Sequence, residues 1–180
     1  HHECGIALVR LLKPLSYYRK KYGSAFYAQN KLYLLMEKQH NRGQDGAGVA
    51  NIKFDVPPGV RYISRTRSVE KQALVDIFSR INSRFEELAQ HDPEKLIDTE
   101  WLKQHVAFTG ELWLGHLRYG TYGGNTIEAC HPFLRQSNWM TKNLVVAGKF
   151  NMTNVEELFR QLVDLGQHPK EKSDTVTVME

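Results

Sequence analysis

The residues from Cys4 to Leu12 form an almost unbroken apolar run, interrupted only by Gly5 and Arg10, with β-branched members and Pro14 to stop it. A run of this length and composition reads as a strand buried on both faces. Next, Phe26, Tyr27, Leu32, Leu35 and Met36 fall at helical spacings, which predicts a helix over 24–39 with Ser24 as its N-cap. The helix runs into His40-Asn41-Arg42-Gly43-Gln44-Asp45-Gly46-Ala47-Gly48, whose three glycines predict a tight irregular loop. Strands are predicted at 49–54 and 60–65, with Pro57-Pro58-Gly59 as the turn between them.

From 68 to 105 the pattern changes. Leu74, Ile77, Phe78, Ile81, Phe85 and Leu88 keep a 3.6-residue period, and Asp92-Pro93 opens a second helix reaching Trp101 and Leu102. This stretch reads as a helical insertion into a β core. Strand-like composition returns at 112–119, a glycine-rich loop follows at 120–125, and 144–147 is a short apolar strand. Residues 154–165 read as an amphipathic helix with acidic residues in its first turn. The chain stops at Thr175-Val176-Thr177-Val178-Met179-Glu180 without a turn or polar tail, and is expected to be a fragment of a longer protein.

Composition excludes several classes. With 180 residues, 41% hydrophobic and 24% charged, this is an ordinary globular domain. No apolar run is long enough to cross a bilayer, and the start carries no signal-peptide pattern. Two cysteines, Cys4 and Cys130, make a disulfide scaffold improbable and point to a reducing, cytoplasmic setting. The net charge of +4 is scattered, with Arg19-Lys20-Lys21 the densest run, so no nucleic-acid partner is expected. Cys130, His131, His116 and His40 lack any metal-site spacing, and no metal is expected.

The chemistry begins at Cys4-Gly5-Ile6. Alone, Cys4 reads as a small buried hydrophobe. As the first residue of a mature chain, however, its thiol would have its own α-amine as base, with an unperturbed pKa of about 7.7–8. Five further segments follow in order: Arg42-Gly43-Gln44-Asp45-Gly46-Ala47-Gly48, Gly115-His116-Leu117-Arg118-Tyr119-Gly120-Thr121-Tyr122-Gly123, His131-Pro132-Phe133, Asn151-Met152-Thr153-Asn154 and Ser173-Asp174-Thr175. Each separately reads as a glycine turn, a surface arginine or a helix cap.

Together they resemble the class II glutamine amidotransferase domain of the N-terminal nucleophile hydrolases, and the Arg-Gly-Gln-Asp wording is that of its purine-synthesising branch. The resemblance runs from Cys4 to about Thr175, loosely over 68–113. It implies an α+β fold, a four-layer αββα sandwich of two antiparallel sheets, over 4–180. It implies that Cys4 attacks the side-chain amide of L-glutamine, releasing glutamate and ammonia. Arg118 would pair with the substrate α-carboxylate, Asp174 would receive its α-ammonium, and Thr121 would line the same pocket. Arg42, Gly43 and Asp45 would hold their loop against the nucleophile strand. No cofactor is implied for this domain. A C-terminal phosphoribosyltransferase-like domain would consume the ammonia, hold any Mg2+, and belong to a homo-oligomer.

Two departures stand out. His1-His2-Glu3 precedes Cys4, so its nitrogen carries a peptide bond; these residues read either as a propeptide remnant, with Glu3 at the junction, or as part of a tag. Second, the family's oxyanion-binding Asn-Gly pair is replaced by Ala147-Gly148-Lys149-Phe150-Asn151, leaving Gly148 in a shifted register and Lys149 or Asn151 as substitute donors. Losing one such donor costs about 2.7–4 kcal/mol of transition-state stabilisation. A catalytically impaired module for amino-acid sensing or partner docking is therefore the alternative expectation.

Overall fold

The structure is a computed structural model that describes residues 3–120, 126–150, 152–169 and 173–180. Four strands form the main sheet: β1 (Gly5–Arg10), β2 (Gly46–Ile52), β3 (Ile63–Ser68) and β4 (Leu112–Arg118), in the order β1-β4-β2-β3, each pair antiparallel. Gly5 lies opposite Leu117, and Gly46 opposite Arg118. Two short strands, β5 (Phe133–Arg135) and β6 (Leu144–Val146), pair as a separate antiparallel sheet. The helices are α1 (Leu15–Tyr22), α2 (Tyr27–Glu37), α3 (Ala73–His91), α4 (Thr99–His105), α5 (Val155–Asp164) and α6 (Asp174–Met179). Among the described residues this is an α+β architecture with two antiparallel sheets, one of four strands and one of two. No helix among the described residues is long and apolar enough to cross a membrane.

The pairing register sorts the main sheet into two faces. Ala7, Val49, Trp113 and Leu117 share one face, which α2 and α3 cover, and the principal core is built there. Leu32 and Met36 of α2 and Ile77, Phe78, Ile81, Phe85 and Leu88 of α3 are all buried. Each side chain of this size stabilises the fold by about 1.5–3 kcal/mol when fully buried. The stretch 68–105 is therefore not an excursion from the core but one of its two helical walls. Its second helix begins later than Asp92-Pro93 suggests. Residues Pro93–Leu96 make only a 3-10 turn, and Asp98 caps α4 by accepting the Trp101 N–H at 2.9 Å.

The other face carries Ile6, Leu8, His116, Arg118, Gly48 and Ala50. The segment 128–133 crosses its β2–β3–β4 side: Arg65 donates to the Pro132 carbonyl, and Arg67 to those of Glu128 and Cys130. The β1 side stays open, with Ile6 47% and Leu8 62% exposed. The expectation of a strand buried on both faces is thus corrected. β1 lies at the sheet edge and alternates, because helices cover one face while the small sheet reaches only the neighbouring strands.

The glycine-rich segment is also corrected. Gly46, Ala47 and Gly48 lie within β2 rather than in a loop. A Cβ on Gly48 would sit 1.8 Å from the His131 carbonyl oxygen, so the glycine is required by close approach of a second backbone. Ser24 does not cap α2; its hydroxyl accepts the Phe26 N–H at 3.0 Å in the preceding turn. α1 was hidden behind Pro14, which precedes the helix as well as ending the apolar run.

Candidate active site

Cys4 stands immediately before β1, half-buried. It lies one position before the Gly5–Leu117 pair, at the end of β4 that carries Arg118 and runs on into Tyr119. Its sulfur accepts the Tyr119 N–H at 3.5 Å and lies 4.0 Å from the Tyr119 carbonyl oxygen. Arg118 ends β4 and is 6% exposed. Its guanidinium and the Asp45 carboxylate both border Gly120, each about 3.6 Å or less from where a Cβ there would lie.

The loop ahead of β2 is fastened to β4. Asp45 Oδ2 accepts the Gly120 N–H at 2.8 Å, and the Asp45 N–H donates to the Arg118 carbonyl at 3.1 Å. A Cβ on Gly43 would lie 2.6 Å from the Leu117 carbonyl, so only glycine lets the two backbones meet. Arg42 reaches instead to the residue before the cysteine, pairing with Glu3 at 3.0 Å in an exposed ion pair. Loop and nucleophile strand are therefore joined mainly through β4, which lies between β1 and β2.

Asp174 begins α6, half-buried, and its Oδ2 accepts the Met152 N–H at 2.9 Å. Ser173 caps the helix by accepting the Val176 N–H. The hydroxyl of Thr175 lies 3.0 Å from His131 Nε2, and His131 Nδ1 accepts the Gly148 N–H at 3.0 Å. The Gly148 amide expected at an oxyanion site is thus engaged with an imidazole. Thr121 and Asn151 lie outside the described residues.

Sequence reasoning missed the pair at the centre of this arrangement. His131 stacks on His116 of β4, ring centroids 4.5 Å apart, and meets Phe133 edge-on. His116 is 1% exposed, and among the described residues neither of its ring nitrogens has a hydrogen-bond partner. Burial pushes His116 down to about 4, and burial, helped by His116, Arg118 and Arg67, pushes His131 down to about 3. Both rings are neutral at pH 7. The available signal was His116 itself, an ionisable residue in an otherwise apolar strand, two positions before Arg118. Burial raises the Cys130 thiol pKa. Among the described residues, no three His, Cys, Asp or Glu side chains converge as metal ligands would.

A cavity of about 420 Å³ opens on the helical side, lined by Tyr33, Glu37, His40, Gly43, Gln44 and Lys71 among others. It includes none of Cys4, Arg118 and Asp174. Those three are linked instead by contacts over the opposite face: from Cys4 along β4 to Arg118 and His116, across the stacked rings to His131, and through Thr175 to Asp174.

In sequence and in fold the chain is similar to proteins named as amidophosphoribosyltransferases. The curated relatives are named amidophosphoribosyltransferase: one from Lacticaseibacillus casei is 27% identical over 147 residues, 82% of this chain and 60% of the relative. Another, from Methanocaldococcus jannaschii, is 38% identical over 53 residues, 29% of this chain and 11% of the relative. A solved glutamine phosphoribosylpyrophosphate amidotransferase from B. subtilis, complexed with ADP and GMP, shares the fold with a TM-score of 0.54 and 22% identity. The match covers 84% of this chain and 26% of that one. No protein-family model matches the chain. The chain therefore spans about 60% of the first of these relatives and far less of the others.

Proposed function

We propose that this chain is the glutamine-hydrolysing part of an amidotransferase, with Cys4 as nucleophile. The observation that carries the reading is the contact of Cys4 with Tyr119 at the end of β4, next to buried Arg118, with Asp174 joined to β4 through Thr175, His131 and His116. Once residues 1–3 are removed, the α-amine of Cys4 takes the thiol proton. The sulfur then attacks the side-chain amide carbon of glutamine, and the amine returns the proton to the departing ammonia. A thioester remains, and water hydrolyses it to glutamate and free thiol. Arg118 holds the α-carboxylate through its planar fork, and Asp174 the α-ammonium, so opposite charges fix the zwitterion and aim the amide at sulfur. Arg42, Gly43 and Asp45 brace the loop, and the pocket and oxyanion roles expected of Thr121 and Asn151 fall outside the described residues.

The open apolar side of the main sheet supports a fuller αββα sandwich, in which further strands extend β5–β6 across Ile6 and Leu8. In a longer protein the ammonia would pass to a phosphoribosyl domain, which would hold any Mg2+ and form phosphoribosylamine for purine synthesis. The two free thiols suit a reducing cytoplasm.

The engagement of the Gly148 amide and the Glu3–Arg42 pair favour a second reading, a module that binds glutamine without turning it over. Protein beginning at Cys4 should release glutamate from glutamine, and a glutamine-mimicking electrophile should label Cys4. Glutamine binding with neither outcome supports the module; no binding at all refutes both.

A further inference from the structure

His131 joins five parts of the molecule, and no step of the proposed reaction acts on it. Its backbone lies against Gly48 of β2, its ring against His116 of β4 and Phe133 of β5, and its two nitrogens face Gly148 beyond β6 and Thr175 in α6. The side chain is buried, and the bonding pattern fixes its proton. A backbone amide can only donate, so Nδ1 accepts from Gly148 and carries no hydrogen. In a neutral imidazole the hydrogen is then on Nε2, which donates to the Thr175 hydroxyl. Thr175 follows Asp174 directly, in the first turn of a helix that otherwise packs on β5, β6 and α5.

We propose that His131, as its Nε2–H tautomer, is the positioning residue that sets Asp174 on α6 relative to Arg118 on β4. For its substrate this rests on the glutamine reading. The imidazole fixes the separation between the two charges that would grip the ends of an amino acid, and it does so without touching the substrate. A ring fastened at both nitrogens and stacked on a strand residue is stiffer than a single hydrogen bond between α6 and the sheet would be. The same bond withdraws the Gly148 amide from any direct part in the reaction.

The test compares wild-type protein beginning at Cys4 with Thr175→Val, which removes the Nε2 partner while keeping side-chain shape, and with His131→Gln, whose amide can still accept and donate. Nitrogen NMR of the wild type should show a bare Nδ1 and a protonated Nε2 at pH 7; the opposite tautomer overturns the proposal. Loss of the Thr175 bond should raise the KM for glutamine roughly five- to ten-fold, with kcat within about two-fold. His131→Gln should stay within about three-fold of wild type in KM. An unchanged KM in Thr175→Val overturns the assignment. Amide exchange at Met152, whose N–H binds Asp174, should quicken in Thr175→Val whether or not glutamine is a substrate. If wild-type protein neither binds nor hydrolyses glutamine, the glutamine reading fails, and the Met152 exchange alone decides for or against His131.

Discussion

At the scale of single residues, two buried imidazoles make stability depend on acid. In the unfolded chain a histidine titrates near about 6.5, whereas His116 and His131 are held down to about 4 and about 3 when folded. Below pH 6.5 the unfolded chain therefore binds protons that the folded chain refuses, and stability is lost as pH falls toward the folded values. Above 6.5 both states are neutral there, and the pair contributes no slope. We expect urea unfolding at pH 5.0 to show a stability lower than at pH 7.5 by at least about 1 kcal/mol per histidine. His116→Phe should remove part of that difference, and a flat profile between the two pH values would contradict the assignment. The individual residues of the candidate site were readable from their order along the chain, because Cys4, Arg118 and Asp174 each sit in a short motif. His131 was legible only as part of the His131-Pro132-Phe133 segment and as a discounted metal ligand. Its importance comes from contacts with residues 17 and 44 positions away, which no local pattern records.

At the scale of elements, the hydrophobic period identified α3 and β4 well, since each buries a regular stripe against the core. β2 was placed too late because its glycines resemble loop residues. Their cause is tertiary: the 130–132 backbone presses onto the strand. Gly48→Ala should accordingly destabilise the fold by about 3 kcal/mol, at the upper end for overpacking, since the Cβ meets a carbonyl rather than a flexible side-chain end. Thermal or chemical denaturation would measure this, and a change below about 0.5 kcal/mol would show that the segment yields. The run Thr175–Val178 is rich in β-branched residues and yet helical. Ser173 caps the helix, and burial of Val176 and Met179 against Phe133 outweighs a propensity difference of a few tenths of a kcal/mol per residue.

For the molecule as a whole, one face of the main sheet is covered by helices and the other only in part. The exposed apolar residues Ile6 and Leu8 lie on an edge strand, the arrangement most prone to pairing with another surface. The isolated chain should self-associate in sedimentation experiments at micromolar concentrations. Leu8→Lys should shift it toward monomer while changing unfolding stability by less than about 0.5 kcal/mol. Undiminished association in this variant would place the contact elsewhere. The open face was not visible in the sequence, because an apolar run reads the same whether both of its sides are covered or only one.

The bridge between Arg42 and Glu3 bears on the proposed removal of residues 1–3. Severing the chain after Glu3 would create a new amino terminus and at the same time deprive the guanidinium of its carboxylate. The freed guanidinium, exposed on its loop, would then be solvated, and the loop would lose its direct tie to the residue before the nucleophile. If residues 1–3 are removed as proposed, the same cut that uncovers the nucleophile would open this latch.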